Sequence, residues 1–173
     1  QNKYRLKNSV QVVLFFVKSP PNCGSRPRFS DMVRGASMTI SHQVKMRVPF
    51  HDLDPLQIVW HGNYFKYFDI ARFGLFKQVG IDLYQYLVRQ QIVFPVTRSS
   101  VKHIVPLRFD DEFICTATVV EAVYKIAIAF EIRLVENGTV CTRGKSEQLC
   151  VKVPQMEMQF EIPGDIRRAL GFA

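Results

Sequence analysis

Residues 63–79 restrict the fold of this chain more than any other segment. Phe65, Phe68, Arg72, Leu75 or Phe76, and Val79 recur at helical spacing, and Gly80 stands where a helix would end. Aromatic side chains occur nearly all round this helix, at Tyr64, Phe65, Tyr67, Phe68, Phe73 and Phe76. A helix that is apolar on most sides has to be buried, and a sheet wrapped around it would do so. The flanking sequence supplies one. Residues 41–50 alternate partly, with Val44, Met46, Val48 and Phe50 on one face, as in a strand. After a short helix over 82–90 come four strand-like runs, at 92–107, 113–123, 125–136 and 139–153. Asp110-Asp111 and Asn137-Gly138 mark two of the joints, and Asn-Gly between such runs predicts a hairpin. Pro154 ends the last run, and residues 163–170 read as a short terminal helix. One strand, a central helix and an antiparallel meander make an α+β fold.

The 173 residues suffice for one domain with a full core, and a hydrophobic content of 47% excludes a disordered chain. The net charge of +8 is unevenly placed. Residues 1–37 hold seven basic residues and one acid, Asp31, whereas residues 38–173 hold sixteen basic and fourteen acidic residues. The folding part is therefore only mildly basic, which argues against nucleic acid and suits a substrate carrying phosphates. Residues 1–37 read as an N-terminal extension and 38–173 as the domain. In the extension, the apolar run from Val10 to Val17 is too short to span a membrane. Pro20-Pro21-Asn22 begins a linker, and Met32 and Met38 are both plausible starts. An acid-poor basic leader can also be a targeting segment. Cys23, Cys115, Cys141 and Cys150 form no C-x-x-C pair, so reduced thiols in a cytoplasmic protein are expected.

The chemistry concentrates in residues 48–64. An extended apolar segment runs into Asp52 and Asp54, then through Ile58-Val59-Trp60 into His61-Gly62-Asn63-Tyr64 at the start of the long helix. An acid, an imidazole and the positive end of a helix are thus a few residues apart, which are the parts needed to attack an acyl group. Asp-Leu-Asp-Pro, Ile-Val-Trp-His-Gly-Asn-Tyr and Tyr-Phe-Asp-Ile-Ala-Arg together resemble the signature of the 4-hydroxybenzoyl-CoA thioesterase family of hotdog-fold proteins, nearest its Tol-Pal-associated acyl-CoA thioesterases. The resemblance spans residues 43 to about 170. It implies an antiparallel sheet around one long central helix, hydrolysis of an acyl-CoA, no cofactor or metal, and homodimers or homotetramers with active sites between subunits. One departure is visible. The family usually has a small residue, often Gly, two or three positions after the second Asp, where this chain has Leu56-Gln57.

Asp54 matches the family's catalytic Asp, which acts as general base or nucleophile. From the residues alone it reads as a turn Asp bonded to its own backbone before Pro55, and it is the motif that favours the catalytic role. Asp52 reads as a residue that orients the loop or meets a basic neighbour. The resemblance implies that the helix end at His61 and Asn63 polarises the thioester carbonyl. Gly62 permits close backbone approach there, and His61 is either an oxyanion donor or an interface His. Asn63 reads as a helix cap. Arg98, Lys125 and Arg143 are candidates for CoA phosphates, with Ser99, Ser100, Lys102 and Lys145 nearby. His51, Asp52, Asp54 and His61 fit no zinc spacing. A serine nucleophile elbow is absent from the sequence. The alternative to an acyl-CoA thioesterase is a non-catalytic hotdog domain that binds acyl-CoA or acyl carrier protein.

Overall fold

The computed structural model describes residues 40–172, so the expected extension over 1–37 and Cys23 lie outside the described residues. Strand β1 is Ser41–Arg47, and helix α1 is Asn63–Gln78. Helix α2 (Leu83–Gln90) follows, then β2 (Ile92–Val93) and β3 (Val96–His103). Strands β4 (Glu112–Glu121), β5 (Ile126–Leu134), β6 (Val140–Gln148), β7 (Cys150–Lys152) and β8 (Glu157–Gln159) precede the terminal helix α3 (Gly164–Ala169).

The main sheet has the order β1-β4-β5-β6-β3, every neighbour antiparallel, and α1 packs on one face of it. The alternation in β4 places Phe113, Cys115, Ala117 and Val119 toward the core. The same period in β5 buries Ile126, Ile128, Phe130 and Ile132. On α1, Phe68 stacks on Phe130 with ring centroids 4.6 Å apart, and Tyr67 tilts onto Phe113 at 4.8 Å. Each such ring removed from water contributes on the order of 1.5–3 kcal/mol. Gly144 on β6 permits this packing, because a Cβ there would lie 2.5 Å from the Phe68 ring. Asn137-Gly138 turns β5 into β6 as expected, with Gly138 at φ +70°. Cys115, Cys141 and Cys150 are buried and free, and burial pushes the Cys115 thiol up to about 12.

Four expectations need correction. Phe50 does not continue the inner face of β1; it opens a 3-10 turn, Phe50–Asp52, and is 70% exposed. The run over 92–107 is interrupted around Pro95, and the run over 139–153 breaks at Leu149, so each yields two strands. Strand β8 went unforeseen and completes a second sheet of order β2-β7-β8. Finally, α1 is covered on one side only, and Ile70 and Phe73 on the other side are exposed.

Candidate active site

Backbone pairing shapes the loop between β1 and α1. Leu53 bridges Val59, the Asp54 N–H donates to the Ile58 carbonyl at 2.8 Å, and the Trp60 N–H donates to the Asp52 carbonyl at 2.9 Å. The result is a small hairpin with Asp54 near its tip and Trp60 at the foot of α1. The hairpin is fastened to the sheet through Val59 N–H to Leu107 O, 2.9 Å, and the Ile58–Arg108 bridge. Its tip requires a left-handed residue, and Gln57 supplies it at φ +61°. This explains the departure seen in the sequence: the position wants glycine, and a glutamine is held there instead.

Asp52 anchors the arrangement. Its carboxylate is 2% exposed, pairs with Lys66, and accepts from the Tyr67 hydroxyl at 2.6 Å. Burial pulls this carboxyl upward, but the Lys66 and Tyr67 hydrogen bonds and the Lys66 charge outweigh it and hold it below the usual range. Burial and the Asp52 contact push the Tyr67 hydroxyl far up, so it stays a donor. The Asp52 carbonyl also accepts from the Asn63 side chain at 2.9 Å. Asn63 therefore does not cap α1. Gly62 holds the N-cap position, and Asn63, the first helical residue, ties the helix back to the loop.

Asp54 is half-buried, and one of its carboxylate oxygens accepts from the Leu56 N–H at 2.8 Å. The turn role open to it in the sequence is thus present and leaves its other oxygen without a hydrogen-bond partner among the described residues. At the foot of α1, the His61 and Gly62 N–H groups have no acceptor among the described residues. Helix ends of this kind carry partial positive charge and receive anions. Trp60 roofs the spot, tilted against His61 at 4.8 Å. A Cβ on Gly62 would lie 2.1 Å from the Trp60 ring, so any larger residue there has to displace the ring. His103, at the end of β3, meets the Tyr64 ring edge-on at 4.6 Å. Burial and the neighbouring His61 lower the His103 pKa.

The sheet thus brings Asp54, His61, Gly62 and Asn63 to one end of the domain. The basic candidates do not gather there. Arg143 lies on the face of the sheet away from α1, 59% exposed, with its guanidinium on Glu131 at 2.8 Å. Lys125 sits in the β4–β5 turn, 3.2 Å from Glu147, at the opposite end of the ten-residue β4, about 30 Å away. Arg98 is opposite Glu147 in the β3–β6 register and makes no salt bridge among the described residues. Lys66 and Tyr67 escaped the sequence reading, although both fall on the turn of α1 that faces back toward the loop.

The model of the thioesterase-like superfamily matches residues 48–170. The chain belongs to this superfamily. Acyl-CoA thioesterase YbgC of Haemophilus influenzae is similar to it, 27% identical over 112 residues, which cover 65% of this chain and 82% of that protein. A 1,4-dihydroxy-2-naphthoyl-CoA thioesterase from Synechocystis superposes with a TM-score of 0.68 at 15% identity, over 75% of this chain and 95% of its own. A 4-hydroxybenzoyl-CoA thioesterase, solved as an aspartate-to-asparagine variant in complex with 4-hydroxybenzoyl-CoA, gives 0.69 at 20% identity, over 76% of this chain and 99% of its own. These likenesses make the fold a hotdog: an antiparallel sheet around a long helix.

Proposed function

We propose that this chain hydrolyses acyl-CoA thioesters to a carboxylic acid and CoA, with Asp54 as the reacting carboxylate. The observation that supports the proposal is one short loop that carries, at its hairpin tip, a carboxylate with a free oxygen and, where it enters α1, a helix end with two unpaired N–H groups. A thioester carbonyl pointed at His61 and Gly62 N–H would place its developing negative charge on those donors. Asp54 then takes a proton from a water that adds to the carbonyl carbon, or adds itself to form an anhydride that water opens. In either course the carbonyl π pair moves onto the oxygen and returns as the C–S bond breaks, releasing the CoA thiolate. The acyl-CoA thioesterase relative from H. influenzae supports the substrate class, and the motif over 52–64 supports the Tol-Pal-associated subgroup.

Asn63 serves this site indirectly, by holding the helix end against the Asp52 carbonyl. Among the basic candidates, Arg98 is the best placed to take a CoA phosphate, because Lys125 and Arg143 already face carboxylates. The departure at Leu56-Gln57 does not favour a non-catalytic domain binding acyl-CoA or acyl carrier protein, since Gln57 makes the left-handed turn without glycine. Among the described residues no helix is long and apolar enough to cross a membrane, and three buried free thiols suit the reducing cytoplasm. A second copy of the chain is the expected partner, joined along the free edge of β3.

Hydrolysis of a panel of acyl-CoAs tests the assignment. Asp54→Asn should keep the melting temperature and lose turnover by roughly 10²–10⁴-fold, the scale of acid–base catalysis. Hydrolysis at the wild-type rate by the purified variant would remove Asp54 from the mechanism.

A further inference from the structure

Asp52 accepts four hydrogen bonds, and all four come from the foot and first two turns of α1. Its carbonyl accepts from the Trp60 N–H and from the Asn63 side chain, each at 2.9 Å. One carboxylate oxygen meets the Lys66 ammonium, and the other accepts from the Tyr67 hydroxyl at 2.6 Å. The His51 imidazole stands 3.7 Å from the oxygen that Lys66 holds, but it is largely in water.

Lys66 and Tyr67 are consecutive residues, so their side chains leave the helix about 100° apart around its axis. A carboxylate that engages both fixes the rotation of α1 and its height above the loop together. Apolar packing is non-directional and would fix neither. A buried carboxylate carries a desolvation penalty that an apolar side chain of similar volume would not. What the carboxylate adds at this position is direction.

Both halves of the proposed site hang on that direction. Asp54 lies two residues after Asp52, on the hairpin arm that pairs with Ile58 and Val59. The free His61 and Gly62 N–H groups lie between Trp60 and Asn63, the two residues that bond the Asp52 carbonyl. On the far side, the Tyr64 hydroxyl accepts from the Leu107 N–H at 3.2 Å, and the Leu107 carbonyl accepts from Val59. Tyr64 meets Tyr67 edge to face at 6.1 Å, which closes a ring of contacts through Asp52, Tyr67, Tyr64, Leu107 and Val59. Asp52 is the one charged member of that ring.

We propose that Asp52 is a positioning residue for turnover: through Lys66 and Tyr67 it holds the helix end at the distance from Asp54 that the reaction needs. This rests on the thioesterase reading of Asp54 and the helix end. Asp52 itself touches no substrate. Its loss misaligns the reacting groups, so it acts on kcat and leaves KM nearly alone.

Steady-state hydrolysis by the full chain, with an acyl-CoA that the wild type turns over, tests the proposal. Asp52→Asn keeps the volume but has one acceptor oxygen for two donors, so it holds Tyr67 or Lys66 and not both. Well below its melting temperature it should lose kcat by roughly 10- to 100-fold, the effect of an error of about 1 Å, with KM within about twofold. Lys66→Met and Tyr67→Phe should each lose part of that rate, and Lys66→Arg, which still reaches the carboxylate, should retain most of it. Combined with Asp52→Asn, Tyr67→Phe should cost less than it does alone, because the two share one contact. Lys66→Met changes a side chain that is 44% exposed and decides the matter if Asp52→Asn does not fold. An unchanged kcat in the folded variants, losses that multiply, or a loss confined to KM would overturn the inference and leave the hydrolase reading standing. A wild type that hydrolyses no acyl-CoA would overturn the hydrolase reading, and the inference with it.

Discussion

Asp52 and Asp54 are two residues apart and chemically identical, yet the structure gives them opposite surroundings. Asp52 is sealed against Lys66 and Tyr67, whereas Asp54 keeps an unengaged oxygen at a hairpin tip. Asp52→Ala would leave the buried Tyr67 hydroxyl without an acceptor and should cost about 2–3 kcal/mol in urea unfolding. Lys66 is 44% exposed and can return to water, which keeps the loss at that level. The pH dependence has a definite sign. Because the folded carboxyl is held below its ordinary value near 4, its stabilisation is complete above about pH 4 and fades as pH falls through the folded value. Wild-type stability should therefore drop more steeply in acid than that of Asp52→Ala. At Gln57 the left-handed backbone offers a gain. Gln57→Gly relieves a cost of roughly 1–2 kcal/mol and gives back some in unfolded-chain entropy, for a net stabilisation of about 0.5–1 kcal/mol. A lower melting temperature for that variant would contradict the strain argument. The motif made Asp54, His61 and Gly62 legible as a group. The part played by Asp52 was legible only in outline, because Lys66 and Tyr67 become its neighbours only once α1 folds back on the loop.

At the scale of elements, α1 was legible almost to its ends because its spacing and Gly80 agree. The meander was legible as runs but not as strands. Pro95 and Leu149 interrupt the ladder at points where the apolar pattern continues, so periodicity cannot see the break. Strand β8 carries Glu157, Met158 and Gln159, a segment too short and too polar to announce itself. The foot of α1 supplies its own prediction. Gly62→Ala should push the outer edge of the Trp60 ring aside, since that edge is the far end of a half-exposed side chain and can move. We expect little change in melting temperature and a clear loss of thioester hydrolysis, because the roof over the His61 and Gly62 N–H groups is disturbed. A large fall in stability with unchanged activity in the remaining folded fraction would mean that the roof is structural only.

For the whole molecule the open question of packing lies at β3. It is an eight-residue edge strand, seven of whose residues are exposed, and no proline interrupts it. Such an edge is a template for another strand unless it is covered. We expect the 20.0 kDa chain to sediment as a dimer of about 40 kDa. Successive N–H groups along a strand point to opposite sides, so of Ser100→Pro and Val101→Pro one removes a donor to β6 and the other a donor to the partner. The second should yield folded monomer in sedimentation velocity. If both variants stay dimeric and stable, the copies meet elsewhere, and the exposed Ile70 and Phe73 face of α1 is the next surface to probe. Oligomerisation is poorly legible in a sequence because an edge strand and a paired strand share the same alternation.

Trp60 is the chain's sole tryptophan, 48% exposed, and it leans over the two free N–H groups at the foot of α1. All indole emission from this protein therefore originates at one spot, within contact of the place where a thioester carbonyl is expected. The molecule carries its own optical probe, and no label need be attached to follow occupancy of the site in stopped-flow time.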